Sequence, residues 1–342
     1  MENKEFISQL NLLKRKIGFC CLPVLAIGVV ALLFHFEVFK IKKDKTLSAL
    51  ELKYDISTLG NTEDAEEIRL GYDIFVNTAD YIGPDNGNQK KIFSGNNLAC
   101  GNCHLSAGTK PYSGPLVGVV NRFPQYRARE DKEGTITERI DGCMERSMNG
   151  KAMPIDIPEM QALLKYINWL NKDTPTNGII EGQGYISLEI PNRPVDLNRG
   201  RLLFQNICSV CHGTDGQGVK QYLSNGYEYP PLWGPNSFNN GAGMNRVITA
   251  AQFIKANMPY GTSYNKPYLT DEEAYDVAGF INQQQRPTKP NLENDFPDLK
   301  KKPVSTPYPP YLDSFPHSQH QLGPYKPIMD YYKKNYNIEK TK

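Results

Sequence analysis

Residues 100–104 read CGNCH, and residues 208–212 repeat the same pattern as CSVCH. In this pattern two thiols can bond to the edge of a porphyrin, and the histidine after them can be an axial ligand of its iron, as in c-type haem attachment. A thioredoxin-like thiol pair or half of a zinc site would explain one such motif, but two copies that both end in histidine favour haem. The sequence therefore predicts two covalently bound haems c, held by Cys100, Cys103 and His104 and by Cys208, Cys211 and His212.

The surroundings of the two motifs repeat in the same order. Each motif comes after an amphipathic segment, and a Met-Pro dipeptide lies 49 residues past His104 in the first copy and 46 past His212 in the second. A helical segment with an apolar face comes next. This order is typical of a small all-helical cytochrome c domain, so we expect a mainly α chain with two fused class I cytochrome c domains. The repeated parts are 66–77, Met153 and 158–170 in the first copy, and 197–207, Met258 and 269–284 in the second.

The repeats divide the chain into parts of different character. We expect an N-terminal membrane anchor at 1–45, a first cytochrome c domain at 46–172, a linker at 173–195, a second cytochrome c domain at 196–286, and a tail at 287–342. From Pro287 onward the chain carries ten of its 25 prolines and many tyrosines. This composition predicts an extended Pro/Tyr-rich strap that packs over the haem domains. We interpret His317 and His320, which lie in the strap, as surface or hydrogen-bonding groups rather than ligands.

The first forty residues differ from the rest of the chain. Basic residues precede an uncharged run of 18 residues, 17–34, which has the length of a membrane-spanning helix rather than that of a signal-peptide core. These basic residues favour a cytoplasmic N-terminus and export of the rest of the chain, although lysines at 40–45 weaken the asymmetry. We therefore expect an uncleaved anchor at about 17–39, rather than a cleaved signal peptide, and a protein at the periplasmic face of the cytoplasmic membrane.

Cys143 is the one cysteine outside both the N-terminal run and the haem motifs. It lies in ERIDGCMERSMNGKAMP at 138–154, a segment that also contains Met153. If Met258 is the distal iron ligand in the second copy, the repeat predicts Met153 as the distal ligand in the first. Cys143 would then be a buried, inert thiol.

The residues around Cys143 support a second interpretation. A capping box of Thr135 and Glu138 predicts a helix that carries a stripe of polar and sulfur-containing side chains on one face. The stripe consists of Arg139, Cys143 and then Arg146 or Ser147. Arginines near a thiol stabilise its thiolate and bind anions, although they also pair with haem propionates and carboxylates. From these residues alone, Cys143 is equally well explained as an iron ligand and as an inert thiol.

At these residues the chain resembles the dihaem thiosulfate dehydrogenases, also called tetrathionate-forming cytochromes c. The resemblance covers about residues 60–330 and leaves the predicted anchor outside, and the segment around Cys143 is its most specific part. The matching segments are CGNCHLSAGTKP at 100–111, FPQYRARE at 123–130, TITERIDGCMERSMNGKAMP at 135–154, NMPYG at 257–261, KPVSTPYPPYLDSF at 302–315 and QHQLGPYKPI at 319–328.

The resemblance implies a set of site residues. Cys143 is then the distal ligand of the first haem, and Arg129, Arg139 and Ser147 bind the substrate. The iron ligands are His104 with Cys143 at the first haem and His212 with Met258 at the second. In the family a lysine sometimes precedes this methionine, whereas this chain has Asn257. We therefore expect simple His/Met ligation at the second haem.

The resemblance also implies an activity, the joining of two thiosulfate ions into tetrathionate with Cys143 as a covalent participant. The two electrons pass through the two haems to a soluble or membrane-bound electron carrier such as a cytochrome. The same site could run in reverse and reduce tetrathionate.

Other functions are compatible with parts of the sequence. A membrane-anchored dihaem electron-transfer protein without its own substrate explains the haems and the anchor, but it leaves the stripe around Cys143 without a role. A dihaem peroxidase would need a haem without a distal sulfur ligand, and a third alternative is a cytochrome that processes thiosulfate in a carrier-protein pathway. The net charge of +2 and the charged fraction of 22% give no reason to expect a nucleic-acid partner.

Overall fold

Helices dominate residues 53–342, the part of the chain that the computed structural model describes. The helices are α1 (Glu63–Val76), α2 (Thr78–Ile82), α3 (Cys100–Cys103), α4 (Leu105–Gly108), α5 (Ile136–Arg146), α6 (Pro158–Trp169), α7 (Leu197–Leu203), α8 (Ser209–His212), α9 (Val247–Asn257), α10 (Asp271–Asn282), α11 (His317–Leu322) and α12 (Lys326–Tyr336). Two antiparallel pairs of strands complete the fold, β1 (Gln125–Arg127) with β2 (Lys132–Gly134) and β3 (Val219–Lys220) with β4 (Tyr227–Tyr229). The prediction of a mainly α chain is confirmed.

The predicted membrane anchor at 17–39 lies outside the described residues. Within 53–342, none of the helices combines the length and the apolar character that a membrane span requires.

Two helix crossings organise the fold, α1 with α6 and α7 with α10. At the first crossing, a Cβ on Gly71 would lie 2.0 Å from the carbonyl oxygen of Ala162. At the second, a Cβ on Gly200 would lie 2.2 Å from the carbonyl oxygen of Asp276. Only glycine allows the backbones to approach so closely. A buried phenylalanine lies four residues after each glycine, so the two halves share a Gly-x-x-x-Phe pattern in addition to the haem motifs.

The hydrophobic cores have the same division. One core is built from side chains between Tyr54 and Leu170, with Tyr227 added. The other is built from side chains between Leu188 and Tyr332. Each core therefore surrounds one haem motif, as expected for two cytochrome c domains, while the boundaries at 46–172 and 196–286 stay predictions.

Capping boxes begin two of the longer helices, α5 and α10. Thr135 and Glu138 exchange side-chain to backbone hydrogen bonds at the start of α5, as the sequence predicts. The equivalent pair at the start of α10 is Thr270 with Glu273. Helix α5 ends at Arg146, because the chain turns there to pack its next residues against the backbone near Phe93. This ending leaves Ser147 as the C-cap residue.

The C-terminal tail is not extended throughout, which corrects the sequence prediction. It contains α11 and α12, because α12 places Ile328 and Tyr332 on one face, where both are buried in the second core. The segment before α11 is irregular and reaches the first domain, since the N–H of Phe296 donates to the carbonyl oxygen of Arg129. The strap therefore packs against both halves, as predicted, and His320 is a buried hydrogen-bonding residue within it.

Candidate haem sites and an arginine-lined cavity

The histidine of each haem motif is held by a backbone carbonyl. His104 Nδ1 lies 2.6 Å from the carbonyl oxygen of Gly114, and His212 Nδ1 lies 2.8 Å from that of Pro230. A carbonyl accepts only, so Nδ1 carries the proton and Nε2 is free to bind iron. Sequence reasoning missed these carbonyls, although each belongs to the residue before a Pro-Leu dipeptide, GPL at 114–116 and PPL at 230–232.

The first motif borders a largely apolar cavity of about 370 Å³. Its wall includes Phe75, Leu98, Leu116, Ile140, Met144 and Leu163. Burial raises the pKa of the Cys100 thiol to about 11 and that of the Cys103 thiol to about 12. These neutral thiols differ from the low-pKa thiolate of a thioredoxin-like site. An apolar cavity bordered by two thiols and an oriented histidine fits a haem c.

Cys143 lies on α5 and lines this cavity together with His104. Burial alone would raise the pKa of the Cys143 thiol, but Arg139 and the His104 ring outweigh burial and lower it to about 6. The Nη1 of Arg139 lies 3.2 Å from the sulfur. A thiolate at this place can bind a metal or attack another sulfur.

Met153 occupies a different environment. Its side chain is buried in the first core, and it is absent from the described residues that line the haem cavity. Its N–H donates to the Asp141 carboxylate at 3.0 Å, which fixes the loop before α6. In this geometry the sulfur beside the His104 ring is that of Cys143, while Met144 and Met148 line the cavity elsewhere.

A second cavity of about 290 Å³ shares His104, Cys143, Ser147 and Tyr185 with the first. Its wall is rich in positive charge. Five arginines line it, Arg127, Arg129, Arg139, Arg146 and Arg246. The substrate-binding candidates Arg129, Arg139 and Ser147 therefore border one continuous space with Cys143.

Carboxylates pair with three of the five arginines. Arg127 Nη2 lies 2.9 Å from a Glu130 oxygen. The Asp295 carboxylate bridges Arg129 and Arg146, with both distances 2.7 Å. Burial would raise the pKa of Asp295, but these two guanidinium groups lower it below its usual value. Asp295 comes from the tail, and sequence reasoning did not associate it with the site.

The two remaining arginines lack such a partner among residues 53–342. Arg139 contacts the sulfur of Cys143, and Arg246 donates its Nε to the carbonyl oxygen of Gly243 at 3.3 Å. Arg129, by contrast, directs Nη1 to three acceptors, which include Gly241 and Tyr308 in addition to its carboxylate partner. Arg139 therefore pairs with the Cys143 thiolate, whereas Arg246 has neither a carboxylate nor a thiolate as its partner among these residues.

The loop of Met258 is tied to the loop that holds His104. Asn257 is buried, and its Nδ2 donates to the carbonyl oxygens of Tyr112, at 3.2 Å, and Phe253, at 3.0 Å. Both contacts turn the Asn257 amide toward protein backbone. Met258 itself packs against the second core, which also contacts Cys208.

Comparisons with known proteins agree with the division of the chain into two cytochrome c domains. A family model described as the SoxA/TsdA cytochrome c domain matches residues 90–176, and one described as cytochrome c matches residues 197–285.

Several similar proteins carry the name thiosulfate dehydrogenase. The one from Allochromatium vinosum is 46% identical over 199 residues, which cover 57% of this chain and 72% of the relative. The one from Thiomonas intermedia is 38% identical over 246 residues, which cover 72% of this chain and 74% of the relative. The solved thiosulfate dehydrogenase TsdBA from Marichromatium purpuratum, in its as-isolated form, is similar with a TM-score of 0.63 and 35% identity, over 70% of this chain and 50% of the solved one. With two cytochrome c domains and this identity over most of the length of its curated relatives, the chain belongs to the dihaem cytochrome c thiosulfate dehydrogenase family.

Proposed function

We propose that the protein is an oxidoreductase that couples two thiosulfate ions to tetrathionate and releases two electrons through two haems c. The observation that carries the proposal is the cavity in which the Cys143 sulfur lies beside Arg139 and four further arginines line the wall. Haem propionates could pair with some of these arginines, but an electron-transfer protein without a substrate gives no role to the arginine that contacts the Cys143 sulfur. The thiosulfate dehydrogenases that the chain resembles support the same substrate.

When bound, the two haem c groups would supply one-electron acceptors. Cys100, Cys103 and His104 would hold the first, and Cys208, Cys211 and His212 would hold the second. We propose Cys143 and Met258 as the distal ligands. Support for Cys143 comes from its place beside the His104 ring, and support for Met258 comes from its packing against the same core as Cys208 of the second haem motif.

The arginines are proposed to bring two like-charged ions together. Two dianions repel each other, and guanidinium forks offset this repulsion through charge-assisted hydrogen bonds to sulfonate oxygens. Arg139 is positioned to hold a thiosulfate with its outer sulfur near Cys143. Arg129 and Ser147 border the same space, and Asp295 keeps Arg129 fixed.

Cys143 is proposed to carry one thiosulfate covalently. Its thiolate forms a bond to the outer sulfur of the first ion, and this step releases two electrons. The outer sulfur of a second thiosulfate then attacks the outer sulfur of the bound one. The bond to Cys143 breaks, tetrathionate leaves and the thiolate is restored, so no proton is consumed. The reverse sequence would reduce tetrathionate.

We also propose that residues 17–39 anchor the protein in the cytoplasmic membrane, with the haem domains in the periplasm. The uncharged run after basic residues supports this proposal. After cell fractionation we expect the full-length chain in the membrane fraction, released by detergent but not by high salt. A mature chain in the soluble periplasmic fraction, with its N-terminus near residue 28, would contradict the anchor.

The decisive test is an assay of the purified, detergent-solubilised holoprotein with thiosulfate and ferricyanide. We expect one tetrathionate for every two thiosulfate ions and two ferricyanide ions consumed. A parallel assay with tetrathionate and a chemical reductant measures the reverse reaction. If the haems exchange electrons with ferricyanide but free thiosulfate is not consumed, the proposed activity is wrong, and the electron-transfer and carrier-protein alternatives are left.

A further inference from the structure

The guanidinium of Arg246 is a feature of the cavity that the roles described so far do not use. Arg246 is the N-cap residue of α9, so it belongs to the second cytochrome c domain, yet it lines the cavity beside Cys143 of the first. Its Nε donates to the carbonyl oxygen of Gly243, within its own domain. The second domain therefore contributes a charged side chain to a cavity whose sulfur comes from the first.

The electrostatic surroundings of Arg246 are unfavourable in the absence of an anion. Burial, followed by repulsion from Arg129, lowers its pKa to about 10, and Arg139 acts in the same direction. Tyr308 and Tyr185 oppose these effects, but neither brings a formal charge at neutral pH. Among the described residues, carboxylates pair with Arg127, Arg129 and Arg146 but not with Arg246. A partly buried cation that is paired with no carboxylate of the described residues is a binding group for an anion, either a haem propionate or a substrate ion.

Arg139 and Arg246 line the same cavity of about 290 Å³. Arg139 lies at the Cys143 side of this space, and Arg246 approaches from the start of α9. These two guanidinium groups, neither of which pairs with a carboxylate of the described residues, therefore come from different domains.

We propose that Arg246 binds the second thiosulfate ion, the one that attacks the sulfur carried by Cys143. This inference rests on the proposed function, because it assigns a role within the same site. Arg139 then holds the first ion and Arg246 the second, and the active site is complete only when both domains are present.

The test compares Arg246→Gln and Arg246→Lys with the wild-type holoprotein. Arg201→Gln is the matched control, because Arg201 is an exposed arginine of the second domain that contacts Gln205 away from the cavity. Sulfate is the probe for binding, since it is a dianion that this reaction does not turn over. Its binding is measured as the rise in thermal unfolding temperature with sulfate concentration, and the spectrum of each variant reports whether both haems are intact.

We expect Arg246→Gln to weaken sulfate binding and to raise the KM for thiosulfate by roughly 10- to 100-fold, the loss of one charge-assisted contact. Haem content and the first haem's spectrum should not change. Arg246→Lys should recover most of the binding, because it restores the charge without the fork, and Arg201→Gln should match the wild type. A purely structural role would instead lower the unfolding temperature equally with and without sulfate.

The outcomes separate this inference from the proposed function. If the wild type oxidises thiosulfate and Arg246→Gln binds sulfate and thiosulfate as the wild type does, the role of Arg246 is wrong and the proposed function stands. If the wild type does not oxidise thiosulfate, the proposed function fails, and the role of Arg246 in that reaction fails with it. If Arg246→Gln does not fold, Arg246→Lys decides: measurably weaker sulfate binding with both haems intact, from loss of the guanidinium fork, supports the role, and binding equal to that of the wild type contradicts it.

Discussion

Replacement of Cys143 by glycine separates the two candidate sulfur atoms of the first domain most directly. The change removes the thiol that contacts Arg139 Nη1 at 3.2 Å. Glycine inside a helix costs about 1 kcal/mol relative to alanine, and the lost charge-assisted contact adds about 1.5–3 kcal/mol. The free energy of unfolding should therefore fall by only a few kcal/mol, and both haems should stay attached because their thiols are elsewhere.

The effect on turnover should be far larger than the effect on stability. If Cys143 carries the first thiosulfate, its removal abolishes tetrathionate formation, whereas a contact alone would cost about 10- to 150-fold. Only the first haem's spectrum should change, because its distal ligand is lost. The assay is thiosulfate-dependent reduction of ferricyanide, with tetrathionate measured as product.

Met153→Leu is the matched control for this experiment. Met153 is 3% exposed, and leucine has nearly the same volume, so we expect a loss of less than about 1.5 kcal/mol and normal turnover. Cys143→Ala checks that glycine flexibility is not the cause of the effect. Tetrathionate formation at a normal rate in Cys143→Gly would refute the covalent mechanism, and loss of activity in Met153→Leu alone would favour the methionine.

Three further predictions concern the remaining residues of the site. Arg139→Ala should raise the KM for thiosulfate roughly 10- to 100-fold in steady-state kinetics. Arg129→Ala should also weaken thiosulfate binding, and it should lower the stability of the protein because it breaks a buried ion pair. Equal KM values for both variants and the wild type would contradict this prediction. Asp295→Ala should lower the free energy of unfolding in urea by about 3–5 kcal/mol, since two guanidinium groups lose their shared carboxylate, whereas the exposed control Glu293→Gln should have little effect. The pKa of Asp295 is lowered in the folded protein. The stability that its carboxylate contributes is therefore present above its unfolded pKa of about 3.9 and is lost as the pH falls through its lower folded pKa. A wild-type protein with no loss of stability in that acid range would count against the bridge. Met258→Leu should keep both haems by mass spectrometry but remove the thioether-to-iron absorption of the oxidised protein, and survival of that band would place the ligand elsewhere.

Much of the fold could be predicted from the sequence because its signals act over short distances along the chain. The haem motifs place thiols and histidine within five residues, and the capping boxes at Thr135 and Thr270 use residues three positions apart. The approach of Arg139 to Cys143 also results from helix geometry, since residues four apart share a face. The Gly-x-x-x-Phe pattern at the helix crossings is equally visible in the sequence, but it becomes meaningful only when the two crossing helices are known.

Sequence patterns alone establish that the chain carries two haem c domains and that a cysteine shares a helix face with arginine. Which arginines of the cavity are paired, and which are available to an anion, depends instead on the packing of the whole chain. Asp295 lies 149 residues from Arg146 along the chain, and Arg246 reaches the same cavity from the second domain. Contacts at such separations depend on how helices and the tail pack, because no local hydrogen bond or periodicity connects their residues. Charge compensation is a property of the packed site, and a motif contained in one segment cannot reveal it.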